Sequence, residues 1–306
     1  MKRLLALMLC LLCLAPGCLA EGSEGVLYRV TNGANTVYLL GSIHIGTKDM
    51  YPVGETLRGA IDRADAFLFE CDTESAQAYV ATMKATVYPD GEKLYDHLSE
   101  ESYALVREAA QKLGMSASGL DSFRPWAVMS TFSLYLSAEL MGESDMAAAQ
   151  QYGVEAFVRG LIGERPVGYL ETIDQQLDTL QSFSPELQDH LVATTCAAYL
   201  NPDQLTGTDA DMPRWPEWWR DGRADLFAES YLSSYLEPGY EALSREYHEK
   251  LILQRNVGMA DGIEAVLTAE GGGTTLVTVG LLHLVLPEGS VPALLQERGY
   301  TVEAVE

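Results

Sequence analysis

Two short motifs pair a glycine with a histidine three residues later. Gly41 and His44 form the first motif, and Gly280 and His283 form the second. Each motif directly follows a run of apolar and β-branched residues that is typical of a buried strand. Glycine allows the chain to leave a strand sharply with its backbone close to a ligand. A neutral imidazole at such an exit can ligate a metal or act as a general base.

Two glutamates occupy the same kind of position as these histidines. Glu70 follows the apolar run 66–69, and Glu171 follows the run 166–170. Ligands of open α/β sheets bind outside the carboxyl ends of the parallel strands. We therefore expect the two glutamates and the two histidines to line one crevice, with Gly41 and Gly280 beneath it.

Two kinds of chemistry suit this set of side chains. His44, Glu70 and His283 could hold a divalent Zn, Mn, Fe or Co ion with open coordination positions. Such a metal lowers the pKa of bound water and polarises a carbonyl group, which is hydrolase chemistry. Without a metal, one histidine could act as a general base that Glu70 orients. The residues alone leave both options open, as well as a purely structural role for each histidine.

Two further features are candidates for binding. Arg255 and Asn256 lie on a predicted helix before the last apolar strand and could hold a carboxylate or an anionic transition state, or form an ordinary ion pair. Trp215, Trp218 and Trp219 could stack on a sugar or pack between helices. Packing is the commoner use of such a cluster.

The N-terminal part of the chain has the pattern of a strand–helix–strand unit. Residues 26–30 and 36–40 flank a turn sequence and predict a hairpin. Residues 55–63 carry apolar residues four apart, which predicts a short helix, and 66–69 is a buried-strand run. A strand that follows a crossover helix is expected to lie parallel to the strand before it.

The sequence predicts an α/β fold with a mixed, largely parallel central sheet. The N- and C-terminal segments supply the sheet, and a large helical insertion spans roughly 95–270, interrupted by a strand near 166–170. The β-branched run 274–279 predicts a strand of the C-terminal segment. One domain over 25–306 accommodates these elements.

The composition limits the partners. The chain of 306 residues has 44 acidic and 20 basic residues, a formal net charge of −24, and 47% hydrophobic residues. An anionic protein repels phosphate backbones, so nucleic acid is excluded as an expected partner. The apolar content is sufficient for a sizeable core.

The first residues have the pattern of a targeting segment. Lys2 and Arg3 precede the apolar run 4–15, which is too short to span a bilayer as a helix. We predict a signal segment over 1–20 and a location outside the cytoplasm. Lipidation at Cys18, with attachment to the membrane, and simple cleavage both remain open.

Cysteines do not form a disulfide framework. Of the five cysteines, only Cys71 and Cys196 lie beyond the predicted signal segment. Two buried free thiols are expected, although one bridge between them is compatible with the sequence.

Several segments resemble one known family over nearly the whole mature chain. The similar segments are Val37 to His44, Phe67 to Asp72, Arg124-Pro125-Trp126, Gly168 to Thr172 with Gln175-Gln176, Gln254 to Ala260, Val279 to Leu284 and Arg298 to Val302. In this order they resemble the TraB/GumN family.

The resemblance implies a fold and an activity. The family includes the Tiki proteins, metal-dependent proteases that act at membranes, and their proposed active site of two Gly-x-x-His motifs and a glutamate implies His44, Glu70 and His283 here. Arg255 would assist. The fold is likened to erythromycin esterase, in which a histidine acts as base without metal. The expected function is therefore an extracytoplasmic metal-dependent hydrolase of the protease type, acting on a peptide or small molecule. A metal-free hydrolase and a non-catalytic surface protein that binds peptide or glycan are the alternatives.

Overall fold

A computed structural model describes residues 23–89, 91–142 and 146–305 of the chain. The predicted signal segment and its lipidation at Cys18 lie outside the described residues. Within the described ranges, no helix is long and apolar enough to cross a membrane.

A mixed sheet lies at the centre of the described structure. It has six strands in the order β4-β3-β5-β2-β1-β6. Neighbouring strands among β4, β3, β5 and β2 are parallel, and β1 is antiparallel to both β2 and β6. The strands are β1 (Leu27–Asn32), β2 (Asn35–Ser42), β3 (Ala66–Phe69), β4 (Val167–Tyr169), β5 (Gly273–Gly280) and β6 (Val302–Ala304). The predicted mixed, largely parallel sheet is confirmed.

Helices cover the sheet and fill the chain between β3 and β5. They are α1 (Glu55–Arg63), α2 (Ala76–Thr86), α3 (Glu100–Lys112), α4 (Pro125–Leu140), α5 (Met146–Gln151), α6 (Val154–Arg159), α7 (Ile173–Gln181), α8 (Pro185–Leu200), α9 (Gly207–Asp211), α10 (Trp215–Arg220), α11 (Ala224–Ser234), α12 (Glu241–His248), α13 (Gln254–Thr268), α14 (Leu282–Val285) and α15 (Val291–Glu297). A π-helical segment, Glu249–Leu253, joins α12 to α13. Short 3-10 turns are Lys48–Met50, Leu94–Asp96, Ala117–Gly119, Pro202–Gln204 and Met212–Arg214.

The predicted hairpin and first helix form as expected. Asn32 pairs with Asn35 across the turn, and Gly33 has a φ of 58°, a left-handed conformation that favours glycine. Helix α1 has the predicted bounds and buries Leu57 and Ile61 against the sheet. Strands β2 and β5 then lie side by side in parallel.

The two central strands are buried on both faces. Successive residues Leu39 and Leu40 are fully buried, as are Leu276 and Val277. Continuous burial of this kind is expected for a parallel strand that is covered by helices on both sides. A separate apolar cluster between α3, α4 and α8 includes Cys196.

Both cysteines within the described ranges are free thiols. Cys71 and Cys196 are both buried and unpaired. The prediction of two buried thiols is confirmed, and burial raises the pKa of each thiol to about 12.

Candidate functional site

Three of the predicted site residues meet at the carboxyl ends of neighbouring strands. Glu70 follows β3, Glu171 follows β4, and His283 lies in α14 just after β5. These strands are adjacent and parallel, so their ends lie at one edge of the sheet. The side chain of Glu70 is 11% exposed and that of His283 is 5% exposed, with Oε1 and Nε2 3.9 Å apart.

Arg255 of α13 joins these residues into one cluster. Its Nη2 atom lies 2.7 Å from Glu70 Oε2 and 2.8 Å from Glu171 Oε2. Its Nη1 atom lies 3.3 Å from Nε2 of His283. The guanidinium is buried, and burial raises the pKa of Glu171 above its usual range. Arg255 thus forms a buried double ion pair.

Glu70 is ionised and fully hydrogen-bonded. Its Oε1 atom accepts the backbone N–H of Gly280, and its Oε2 atom accepts from Arg255 and from Gln176 Nε2 at 3.3 Å. Burial disfavours the carboxylate, but His283, which is protonated at the low pH where Glu70 titrates, the charges of Arg255 and His44, and the Gly280 N–H outweigh it and lower the pKa of Glu70 to about 2. A Cβ atom at residue 280 would lie 3.0 Å from Glu70 Oε1, so any other residue there would crowd this contact.

His283 is held as a neutral imidazole. Burial is the main reason why the pKa of His283 is lowered to about 4. Its Nδ1 atom lies 2.5 Å from Asn256 Oδ1, and Asn256 Nδ2 donates to the carbonyl of Gly289 at 2.7 Å. Because the amide oxygen can only accept, the proton is assigned to Nδ1. The lone pair of Nε2 therefore faces Arg255.

His44 stands apart from this buried cluster. Its side chain is 70% exposed, and its Nδ1 atom lies 3.6 Å from Oε2 of Glu155 in α6. Glu155 accepts a hydrogen bond from Ser42 Oγ at 3.1 Å. The interaction with Glu155 is the main reason why the pKa of His44 is raised to about 9. Its charge also contributes to the low pKa of Glu70, so both residues share one electrostatic environment.

The backbone explains how Glu155 reaches this position. The N–H of Val154 donates to the carbonyl of Ile43 at 3.1 Å, which attaches the start of α6 to the end of β2. A Cβ atom at residue 153 would collide with the carbonyl oxygen of His44. Gly153 therefore permits the close approach that brings Glu155 to His44.

The predicted metal ligands do not assemble into a metal site. In the described ranges, no group of three or more His, Cys, Asp or Glu side chains could hold a metal ion. The reason is that the guanidinium of Arg255 contacts both Glu70 and the Nε2 atom of His283, where a metal would bind. A fixed cation there repels a second cation. In this arrangement the residues do not fit a resident metal.

Two residues of the site were not found from the sequence alone. Glu155 had no distinguishing signal beyond its place in the first turn of a helix. Gln176 was noted only as part of the family resemblance, whereas it bridges Glu70 and the thiol of Cys71, which donates to Gln176 Oε1 at 3.1 Å.

The tryptophan cluster supports the edge of the site from within the core. Trp218 and Trp219 are 4% and 0% exposed, and Trp219 Nε1 donates to the carbonyl of Gly41 at 2.7 Å. Trp215 packs near Phe227, with ring centroids 6.1 Å apart. The packing interpretation is confirmed, and the main support for glycan binding is lost.

Replacing Trp219 by phenylalanine is expected to lower the free energy of unfolding by about 1–3 kcal/mol, because the carbonyl of Gly41 loses its buried partner. Urea denaturation measures this change. Trp215→Phe is a matched control, because Trp215 Nε1 has no hydrogen-bond partner among the described residues. Equal destabilisation by both substitutions would contradict the role assigned to the Trp219 hydrogen bond.

These observations define an α/β protein whose parallel strands end in a buried Arg–carboxylate–His cluster beside an exposed histidine. The chain matches the profile of the TraB/PrgY/gumN family over residues 26–304 and belongs to that family. The resemblance noted from its motifs is confirmed.

Two curated proteins illustrate the relationship. A protein of Escherichia coli (strain K12) named "Uncharacterized protein YbaP" is 26% identical over 269 residues, covering 86% of this chain and 89% of its own length. The protein of the same name from Shigella flexneri is 26% identical over 264 residues, covering 85% and 87%. No solved structure gave a significant match, so the likeness to erythromycin esterase stays a prediction.

Proposed function

We propose that this protein is a hydrolase that cleaves a peptide or ester bond with His44 as its general base and without a resident metal. The observation that carries the proposal is the exposed imidazole of His44, with Nδ1 beside the carboxylate of Glu155. This arrangement leaves Nε2 free to meet a substrate, as in a histidine–carboxylate dyad. A location outside the cytoplasm remains part of the proposal and rests on residues 1–20.

In the proposed reaction, His44 acts first as a general base and then as a general acid. Its Nε2 atom accepts a proton from water, and the water oxygen forms a bond to the carbonyl carbon. The tetrahedral intermediate then breaks its bond to nitrogen or oxygen, and the leaving atom takes the proton back from His44. Glu155 stabilises the imidazolium that forms between these events.

The buried cluster has a positioning role in this proposal. Arg255 ties the ends of β3 and β4 together through Glu70 and Glu171, and His283 packs against it. None of these four side chains is more than 11% exposed. They support the edge of the sheet that carries His44. The positive charge of Arg255 repels other cations from Glu70 and His283, which the sequence suggested as metal ligands.

The test is hydrolysis with and without metal. We expect the purified protein to cleave members of a fluorogenic peptide library or p-nitrophenyl esters at the same rate before and after dialysis against EDTA. Elemental analysis of the active protein should find no stoichiometric Mn, Co, Zn or Fe. The physical reason is that Arg255 already pairs with both Glu70 and Glu171 and places a fixed positive charge where the metal would bind.

Two outcomes would overturn the proposal. If chelation abolished the activity and one divalent metal restored it, the result would support metal-dependent hydrolysis through His44, Glu70 and His283 instead. Peptide binding without any turnover would support the non-catalytic alternative instead.

A further inference from the structure

A second concave site lies in the helical insertion. A cavity of about 380 Å³ is lined by residues that precede α3, by Arg124 and Trp126 at the start of α4, and by residues of α7 and α8. This volume is within the range of small-ligand pockets, roughly 300–1,000 Å³. Arg124 and Trp126 line it and belong to the Arg-Pro-Trp segment that the strand-end site does not use.

Arg124 brings to this cavity a guanidinium that has no ion-pair partner among the described residues. Its guanidinium lies over the ring of Tyr88, 4.7 Å from the centroid. Its side chain forms no hydrogen bond or ion pair with another described residue, and its buried Nε atom has no partner. By contrast, Arg255 is paired with two carboxylates. An unpaired guanidinium in a cavity favours an anionic ligand.

The walls around Arg124 are largely aromatic. Tyr88 stacks on His97 with ring centroids 4.3 Å apart and planes at 11°. Trp126 is 8% exposed, and its indole N–H has no partner among the described residues. Flat groups such as peptide planes and rings pack well against such walls. Gln181 adds an amide to the lining.

Acidic residues in the lining favour a singly charged anion over a doubly charged one. Glu92 and Asp96 also line it; Glu92 Oε2 lies 2.9 Å from His97 Nε2, and Asp96 Oδ2 accepts the N–H of Lys93 at 3.0 Å. The two carboxylates repel a phosphate dianion more strongly than a carboxylate monoanion, and a carboxylate can pair directly with Arg124. The carboxylates of Glu92 and Asp96 also favour a ligand that carries N–H donors.

We propose that this cavity binds the carboxyl-terminal end of a peptide. Arg124 pairs with the terminal carboxylate, and the last residue lies against Tyr88 and Trp126. The proposal does not depend on hydrolysis, because none of these residues belongs to the strand-end site.

Helix α7 connects the cavity to that site. Gln176 hydrogen-bonds Glu70, and Gln181 lines the cavity five residues further along the same helix. At 1.5 Å per residue this separation is about 7 Å along the axis. A peptide end held at Arg124 is therefore a neighbour of the strand-end site and not part of it.

The probe is a pool of N-acetylated tripeptides with free carboxyl ends, compared with the same pool as carboxyl-terminal amides. The two pools differ only in the charge that Arg124 is proposed to bind. We expect the free acids to shift the Nε–H resonance of Arg124 in ¹⁵N spectra of the whole protein. The amides should bind about tenfold more weakly or worse, because they lack a charge-assisted hydrogen bond. Loss of the signal in Arg124→Lys assigns the resonance.

Variants provide an independent check. Arg124→Gln should weaken binding of the acid pool about tenfold and remove the preference for acids over amides. Arg107→Gln is the matched control, because Arg107 is exposed on α3 and should leave binding unchanged. Equal affinity for acids and amides in the wild type, undiminished acid binding by folded Arg124→Gln, or no response to the acid pool would overturn the proposal.

Discussion

Replacing Arg255 by methionine is expected to lower the free energy of unfolding by about 3–5 kcal/mol at pH 7, because the substitution leaves buried charges without a partner. Glu70 and Glu171 have side chains only 11% and 9% exposed, and both pair with Nη2 of Arg255. Methionine keeps most of the volume and removes the charge. Chemical denaturation in urea measures the loss.

The free energy of unfolding that is lost in Arg255→Met should increase with pH. In the wild type, the pKa of Glu70 is lowered to about 2, so its contribution to stability is present above its ordinary pKa of 4.5 and is lost as the pH falls from 4.5 towards 2. Without Arg255, burial raises the pKa of this carboxyl group. The variant is therefore closest to the wild type near pH 2, and the gap in the free energy of unfolding widens as the pH rises through 4.5 towards 7.

Arg298 offers a matched control for Arg255. It also bridges two carboxylates, Asp261 and Glu264, but these are 65% and 37% exposed. Because exposed ion pairs contribute little, Arg298→Met should cost at most about 1 kcal/mol. Adding Glu70→Gln and Glu171→Gln to Arg255→Met should restore part of the lost stability. If the two arginine variants were equally stable, the buried cluster would not have the role assigned to it.

The sequence predicted the strand ends well because local patterns carry that information. Apolar runs followed by Glu70 and His283 placed both residues correctly at the edge of the sheet. The crossover rule predicted that β2 and β3 are parallel; they are, with β5 lying between them, and the pairing of β3 with β5 brings the two side chains to 3.9 Å. The hairpin formed by β1 and β2 was also predicted correctly from its turn residues.

The partners of these residues could not be predicted from local patterns. Glu155 lies 113 positions from Ser42 in the chain, and Arg255 lies 185 positions from Glu70. Which side chain of a helix meets a strand end depends on how the insertion packs, and periodicity does not report that. The metal prediction depended on His283 Nε2 being free, whereas Arg255 contacts it. A resemblance can name the residues of a site without showing which of them contact each other.

Replacing His44 by asparagine is expected to reduce kcat/KM by about 10²–10⁴-fold on any peptide or ester that the wild type cleaves, the usual contribution of a general base. The stability of the protein should change little, because the side chain is 70% exposed. The pair formed by His190 and Glu237, at 2.7 Å, is a histidine–glutamate pair outside the site and provides a control. His190→Asn should leave kcat/KM unchanged.

The pH dependence of this reaction tests whether Glu155 tunes the base. A base acts in its deprotonated form, and the pKa of His44 is raised to about 9, so the wild-type rate should rise from pH 7 to a plateau above pH 9. Glu155→Gln removes the main cause of the raised pKa, so the rising limb should move towards pH 6.5, with a lower plateau because the base is weaker. The assignment of His44 and Glu155 as a catalytic pair would be contradicted if the rising limb of the pH–rate profile did not move in Glu155→Gln. It would also be contradicted if the limb moved equally in Glu237→Gln.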